Sequence, residues 1–258
     1  MIKLPPVWVA SLLLLLVSCK PHALLQKTES KKVLFGLVDG LDSLGLKTGD
    51  LAMFQSTTLN GILTQTGTLA PYTHCAIIIK GKDGQLLLLH TTDNNFAGER
   101  IPVLGESKSR NGVILTRFEN SFISVNAGKS GFYKRIWILP FDESLAERPG
   151  NETLMLLYQK NKKYPFTTSK IPFIFSAFDL KLFDRDLLSV TDDESMFCSE
   201  FVHLLLRQSN IPVTDDQKTN EYTPKDIRNL EPYKSAVPFV FRFKDGRYRL
   251  VSEKRNKK

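Results

Sequence analysis

The chain has 258 residues, of which 42% are hydrophobic and 24% are charged. This composition suits one globular domain with a sizeable core, and it excludes a disordered acidic tail, a collagen-like repeat and a disulfide-stapled miniprotein. The formal net charge is +8, and part of it lies in the basic tail 254–258. The other basic residues are scattered and no nucleic-acid-reading motif is present, so we expect no nucleic acid partner.

The N-terminal residues have the pattern of an export signal. Lys3 precedes an apolar run at 7–17, which is shorter than the about 20 residues that a membrane-spanning helix needs and suits a signal peptide. The run ends in Leu16-Val17-Ser18-Cys19, which resembles the bacterial lipobox, so we expect Cys19 to be lipidated. The alternatives are an ordinary signal peptide or an uncleaved anchor.

Localisation follows from the same segment. Lys20 stands where an aspartate would favour retention in the inner membrane of enteric bacteria, which favours anchoring in the outer membrane of a bacterial cell envelope. We therefore divide the chain into a lipoprotein signal peptide with its lipobox, a tether, one folded domain and a basic tail. The boundaries are 1–19, 20–33, 34–252 and 253–258.

Short apolar runs bounded by Gly, Pro and Asp predict strands, and apolar residues at helical spacing predict helices. The predicted strands are 51–55, 73–80, 85–91, 112–118, 134–139, 237–243 and 247–251. The predicted helices are 152–162, 198–209 and a short one that Thr223-Pro224 opens. Because the strands mostly neighbour one another, the pattern predicts an α+β fold, an antiparallel sheet with helices on one side.

Few side chains are available for chemistry. Of the four histidines, His22 lies in the tether and His203 lies within a predicted helix, where it fills space. With Cys19 lipidated, the two other cysteines form a disulfide, or one is a core residue and the other, Cys198, is a reactive thiol; we favour the second alternative.

Cys198 stands just before an apolar run where a helix should begin. The free amides at a helix N-terminus favour a thiolate, and a histidine can serve as its base. Thr191 and Glu194 have capping-box spacing, however, and would start the helix one turn earlier. His74, His90 and Cys198 remain as the simplest candidate catalytic set.

Three short motifs occur in order along the chain. They are Gly49-Asp50-Leu51, then Tyr72-Thr73-His74-Cys75-Ala76-Ile77-Ile78, and finally Phe197-Cys198-Ser199-Glu200-Phe201-Val202. Together they resemble the circularly permuted papain-like hydrolases of the NlpC superfamily. The YiiX-like envelope enzymes, which are relatives of the lecithin:retinol acyltransferase class, are the group that the chain resembles. The resemblance covers roughly residues 46–227.

The resemblance implies a circularly permuted papain-like fold, in which an antiparallel sheet or barrel packs against helices that include the nucleophile-bearing one. It implies that Cys198 is the nucleophile, His74 the general base and His90 the third, orienting residue, where YiiX-like relatives often carry glutamate. Tyr164 resembles a family tyrosine and becomes a substrate-binding candidate, although Pro165 replaces the aspartate that usually follows it.

The implied reaction is cleavage of an amide or ester through a thioester on Cys198, with a peptidoglycan peptide or an acyl lipid as substrate. We expect no cofactor and no metal, and a membrane contact through the lipid anchor. A noncatalytic lipoprotein that keeps the fold as a binding module is the alternative from a different class. The oligomeric state is left open by the sequence.

The turn between the two histidine-bearing strands sets which face each histidine occupies. A three-residue loop at 82–84 pairs Gly81 with Gln85, which places His90 opposite Ala76 and on the same face as His74. A two-residue turn would place the histidines on opposite faces. Because the implied catalytic set needs His90 beside His74, we predict the three-residue loop or a bulge, with both histidines facing the Cys198 helix. Cys75 then points to the other face as a core residue.

Overall fold

The protein is described here by a computed structural model. It describes residues 34–35, 41, 44–57, 59–92, 103–106, 110–126, 130–131, 133–166, 196–213, 222–245 and 247–251. The expected signal peptide, the tether up to residue 33 and the basic tail lie outside these residues, as do Thr191 and Glu194. Within the described residues, no helix is long and apolar enough to cross a membrane.

Seven strands form one antiparallel sheet. They are β2 (Leu51–Ser56), β3 (His74–Lys80), β4 (Leu86–Thr92), β5 (Gly112–Arg117), β8 (Tyr133–Leu139), β9 (Phe239–Lys244) and β10 (Arg247–Val251). Their order in the sheet is β10-β9-β8-β2-β3-β4-β5. A small second sheet joins β1 (Leu34–Phe35), β6 (Ile123–Asn126) and β7 (Ser130–Gly131). Over the part of the chain that the structure describes, β5 and β10 remain the two edges of the large sheet, so it is not closed into a barrel.

The helices complete an α+β fold, as the sequence predicted. They are α1 (Leu59–Thr68), α2 (Asn151–Asn161), α3 (Cys198–Gln208), α4 (Pro224–Asn229) and α5 (Glu231–Lys234), with a 3-10 helix at Phe118–Phe122. Helix α4 begins as its sequence predicts: the amide of Asp226 donates to the Thr223 hydroxyl and Pro224 takes the first helical position.

Both faces of the large sheet are buried, which explains the nearly continuous apolar sequence of β3. One face carries Met53 and Cys75 and packs against the apolar residues of α3, among them Phe201 and Leu205. The other face carries Phe54 and Ala76 and forms a second cluster with the 3-10 helix and the β9–β10 hairpin. Alternate residues of β3 therefore belong to two different cores.

The loop between β3 and β4 has the predicted length. Ile77 pairs with Leu89 and Lys80 pairs with Leu86, which is the register that the three-residue loop requires. The amide of Gly81 donates to the carbonyl of Gln85 at 2.8 Å. Gly84 closes the loop with φ at 83°, a left-handed conformation that favours glycine. The predicted register is confirmed.

The Gly49-Asp50 turn is built around a buried ion pair. The Asp50 carboxylate accepts from an Arg148 guanidinium nitrogen at 2.7 Å and from the amides of Lys47 and Phe141 at 2.8 and 3.0 Å. The backbone of Asp50 also accepts from the amide of Ile78 at 2.8 Å. This motif therefore joins the start of β2 to the middle of β3 and to the segment after β8.

Candidate active site

Cys198 is the first residue of α3. The preceding residue, Phe197, is extended, and its amide donates to the Glu200 carboxylate at 3.2 Å, an interaction typical of a helix N-terminus. The Phe197 carbonyl accepts from the amide of Phe201 at 3.0 Å and so starts the helical ladder. The thiol therefore lies at the end of the helix where unpaired amides and the dipole favour negative charge.

Two histidines and a threonine form a buried chain of hydrogen bonds across three strands. His74 Nε2 lies 2.9 Å from His90 Nδ1, and His90 Nε2 lies 3.2 Å from Thr116 Oγ1. The two rings meet edge to face, with centroids 5.1 Å apart. All three side chains are buried. The structure thus brings His74 and His90 together, and it adds Thr116, which the sequence analysis did not identify.

The Cys198 thiol joins this chain at its His74 end. A hydrogen bond with Cys75, and then the charge and hydrogen bond of His74, hold the pKa of Cys198 well below its usual value, although burial acts in the opposite direction. Burial and the contact with Cys198 raise the pKa of Cys75 well above its usual value. Cys198 is therefore the more acidic thiol of the pair, and Cys75 is the one that holds its proton more tightly.

The protonation of His90 follows from its surroundings. Burial, and then the charge of His74, lower the pKa of His90 well below its usual value, so His90 is neutral. Neutral His90 carries one ring proton. If its Nδ1 accepts from His74 Nε2–H, that proton is on Nε2 and is donated to Thr116 Oγ1. Both ring nitrogens of His90 then have a partner.

The position of the helix relative to the histidines needs one correction. His74 pairs with Phe54, and its ring contacts the Phe54 ring at 5.5 Å, on the face away from the apolar side of α3. The expectation that both histidines face this helix is therefore wrong. His74 and Cys198 interact where β3 and α3 both begin. Cys75 is a core residue on the opposite face from His74, as predicted, and it is the residue that faces α3 near Cys198.

Tyr164 borders this region through its main chain. Its carbonyl accepts from the amide of Val113 at 3.2 Å, and the next carbonyl, of Pro165, accepts from the amide of Met196 at 3.1 Å. A Cβ at Gly112 would lie 2.4 Å from the Tyr164 carbonyl oxygen, so this approach requires glycine. The segment at 164–166 thus supports the residues just before Cys198, and a substrate-binding role for Tyr164 stays a prediction.

The remaining candidates lie elsewhere. His203 is buried within α3, where its ring stacks on Tyr222 with centroids 3.9 Å apart, in agreement with the space-filling role expected from sequence. His22 and the lipidation candidate Cys19 lie outside the described residues. Among the residues that the structure describes, no group of three or more His, Cys, Asp or Glu side chains could hold a metal ion.

Comparison with known proteins gives little further information. No family model matches the chain, and no curated protein matches it. The crystal structure of the metalloprotein YiiX from Escherichia coli O157:H7 superposes with a TM-score of 0.40 at 12% sequence identity. That match covers 67% of this chain and 71% of the YiiX chain. Functional inference therefore depends on the residues of the site itself.

Proposed function

We propose that this protein is an envelope-anchored cysteine hydrolase that cleaves an amide or ester bond through a thioester on Cys198. The observation that carries the proposal is the arrangement of a buried thiol at the first residue of a helix, in contact with His74, which is itself 2.9 Å from His90. A nucleophile, a base and an orienting group in this order are the usual requirements of nucleophilic acyl transfer.

Each group has a defined task in the proposed reaction. The Cys198 thiolate attacks the substrate carbonyl carbon, and free amides at the start of α3 stabilise the oxyanion. Protonated His74 gives its proton to the departing amine or alcohol, which leaves a thioester. His74 then removes a proton from water, whose oxygen attacks the thioester and releases the acid and the thiolate.

The circularly permuted papain-like fold belongs to this proposal. In chain order the base, His74, precedes the nucleophile by more than a hundred residues, which reverses the usual papain order. Chain order does not affect the chemistry, because the reaction depends only on where the side chains meet in space.

Two substrate classes fit a Cys-His hydrolase in the bacterial envelope. These are the peptide amides of peptidoglycan and the acyl esters or amides of lipids, from which the acyl group passes to water or to another acceptor. Incubating the full chain in detergent with both peptidoglycan fragments and phospholipids, and identifying products by mass spectrometry, distinguishes them. Products that appear with the parent chain and not with Cys198→Ala support the proposal. Identical product spectra from both would favour the noncatalytic binding module.

Lipidation of Cys19 is part of the proposal and has its own test. Because the apolar run ends at this cysteine, the exported protein should carry lipid on Cys19, and the Cys19→Ala variant should remain unprocessed. Mass spectrometry of the N-terminal peptide measures the added lipid mass. A mature wild-type N-terminus without that mass would contradict lipid anchoring.

Thr116 should act as a positioning residue through His90. Thr116→Val keeps the side-chain shape and removes the acceptor for His90 Nε2–H. A buried donor that loses its partner costs about 1–3 kcal/mol. We expect a roughly 10- to 100-fold loss of kcat, with restoration by Thr116→Ser. The pH profile of kcat should shift for the valine variant only.

A buried threonine in α1 provides the matched control. Thr68 donates its hydroxyl to the Thr64 carbonyl within the helix at 2.9 Å, so Thr68→Val makes the same chemical change away from the histidine chain. Its kcat and pH profile should stay those of the parent. If Thr116→Val is as active as Thr68→Val, the proposed role of Thr116 is wrong.

A further inference from the structure

Cys75 is a buried thiol that takes no covalent part in the proposed reaction. It is the second residue of β3, with no exposed surface, and its side chain lies on the face against which α3 packs. Cys198 begins that helix, and both thiols lie in the same buried cluster, where Cys75 lowers the pKa of Cys198. A nucleophilic cysteine and a second cysteine from a neighbouring strand therefore share one buried contact.

The two sulfurs differ in chemical character. Cys198 has a low pKa because of Cys75 and His74, whereas burial raises the pKa of Cys75. Thiolates are the form that oxidants attack, and oxidation-sensitive cysteines are commonly placed beside a second thiol that resolves the sulfenic acid. Oxidation at this site should therefore begin on Cys198. The thiol of Cys75 can then react with the resulting Cys198 sulfenic acid.

We propose that Cys75 is the resolving thiol of Cys198, so that a peroxide converts the reduced site into a Cys75–Cys198 disulfide that reversibly blocks the nucleophile. The inference rests on the proposed function to the extent that Cys198 is a reactive thiolate. It goes beyond that function by assigning a covalent redox role to Cys75, which forms no bond to the substrate during the proposed hydrolysis.

The steps balance with hydrogen peroxide as the oxidant. The Cys198 thiolate attacks one peroxide oxygen, which breaks the O–O bond, releases hydroxide and leaves a sulfenic acid on Cys198. The Cys75 sulfur then attacks the Cys198 sulfur, the S–OH bond breaks, and the Cys75 proton leaves with that hydroxyl as water. Two electrons pass from the two thiols to peroxide. A dithiol reductant reverses the change by thiol–disulfide exchange.

The position of the two cysteines at element ends favours the bond. Their sulfur atoms must approach to about 2.05 Å to form a disulfide. Both residues are at or next to the beginning of their elements, β3 and α3, so the adjustment falls at element ends. The disulfide would take the Cys198 sulfur away from His74 and remove the attacking electron pair at the same time.

Mass spectrometry of the oxidised full chain tests the proposal. The chain has three cysteines, so Cys19→Ala leaves only this pair of thiols. After peroxide treatment we expect an intact mass lower by two hydrogen atoms and one linked peptide pair containing Cys75 and Cys198. Alkylation of Cys198 by iodoacetamide should be lost and should return after dithiothreitol.

Cys75→Ser in the same background is the matched variant. Its Cys198 should be oxidised onward to sulfinic acid, with a mass increase of two oxygen atoms, and dithiothreitol should not restore alkylation. If the parent chain also accumulates sulfinic acid on Cys198 while Cys75 stays alkylatable, the proposal is wrong. If Cys75→Ser does not fold, the presence or absence of the linked Cys75–Cys198 peptide pair in the oxidised parent chain still tests the proposal.

The test separates this inference from the proposed function, because its readouts are masses and alkylation rates. A disulfide in a chain whose reduced form cleaves no peptidoglycan or lipid substrate would reject the hydrolase and keep the redox pair. A hydrolytically active chain that forms no disulfide would reject the redox pair alone.

Discussion

Cys198→Ala and His74→Ala should each lower kcat for the cleaved amide or ester by at least about 10³-fold, while the fold is retained. The thiolate and its proton donor act as one unit, so the double variant should be little worse than either single variant. Initial rates of product formation for the three variants, measured with the parent chain under one set of conditions, provide the comparison.

Retention of the fold must be measured alongside. Both residues lie at the first position of their element, so circular dichroism and the melting transition should show a folded protein in every case. Strictly multiplicative losses in the double variant would mean that Cys198 and His74 act independently. That result would contradict a shared catalytic dyad even if each single variant were inactive.

Asp50→Ala should lower the free energy of unfolding by about 3–5 kcal/mol, because it removes the buried partner of Arg148 and leaves that guanidinium paired with the exposed Glu143 carboxylate. The side chains of Asp50 and Arg148 are only 3% and 17% exposed, and the same carboxylate also accepts from the Lys47 and Phe141 amides. Denaturant unfolding curves measure the change. The Gly-Asp motif is therefore expected to act on stability and only indirectly on chemistry.

An exposed ion pair supplies the control for this prediction. Glu119 contacts Arg117 at 3.4 Å, and both side chains are at least half exposed, so Glu119→Gln should change the free energy of unfolding very little. If Asp50→Ala is no more destabilising than Glu119→Gln, the buried pair does not contribute as argued.

Sequence reasoning succeeded where the signal is local. The helix predicted at 198–209 is observed at Cys198–Gln208, because its apolar residues recur at helical spacing and Glu200 supplies a cap. The β3–β4 register was predicted from the need to bring His90 to His74, and Gly84 suits the left-handed end of the three-residue loop that achieves it. The helix and the loop glycine both depend on neighbours within a few positions of the chain.

Helix α1 illustrates why other elements were missed. Its sequence is rich in threonine and glycine, which are poor helix formers, and its apolar residues at helical spacing, Leu59, Ile62 and Leu63, do not continue into its second half. Tertiary hydrogen bonds hold it instead: Gln65 donates to the Ser56 carbonyl at 3.1 Å and accepts from the Gln55 side chain at 2.8 Å. These contacts exist only once β2 is in place.

The site was predictable in its residue types and not in its full geometry. The roles of His74, His90 and Cys198 came from a resemblance, and their assignment as a catalytic set remains a proposal. Thr116 and Cys75 carry no local signal, because their relation to the site depends on how β5 and α3 meet the rest of the sheet. The partner of Asp50, Arg148, is 98 positions away in sequence, a pairing that no short pattern predicts.

The pH dependence of Cys198 alkylation tests the central claim most directly. In the full chain with Cys19→Ala, iodoacetamide labelling of Cys198, followed by peptide mass spectrometry, should rise with an apparent pKa well below the ordinary thiol value of about 8.5. The hydrogen bond from Cys75 and the charge of His74 favour the thiolate, so His74→Ala should move this rise to higher pH. A Cys198 that titrates at or above the ordinary thiol value, or one that His74→Ala leaves unchanged, would contradict the account.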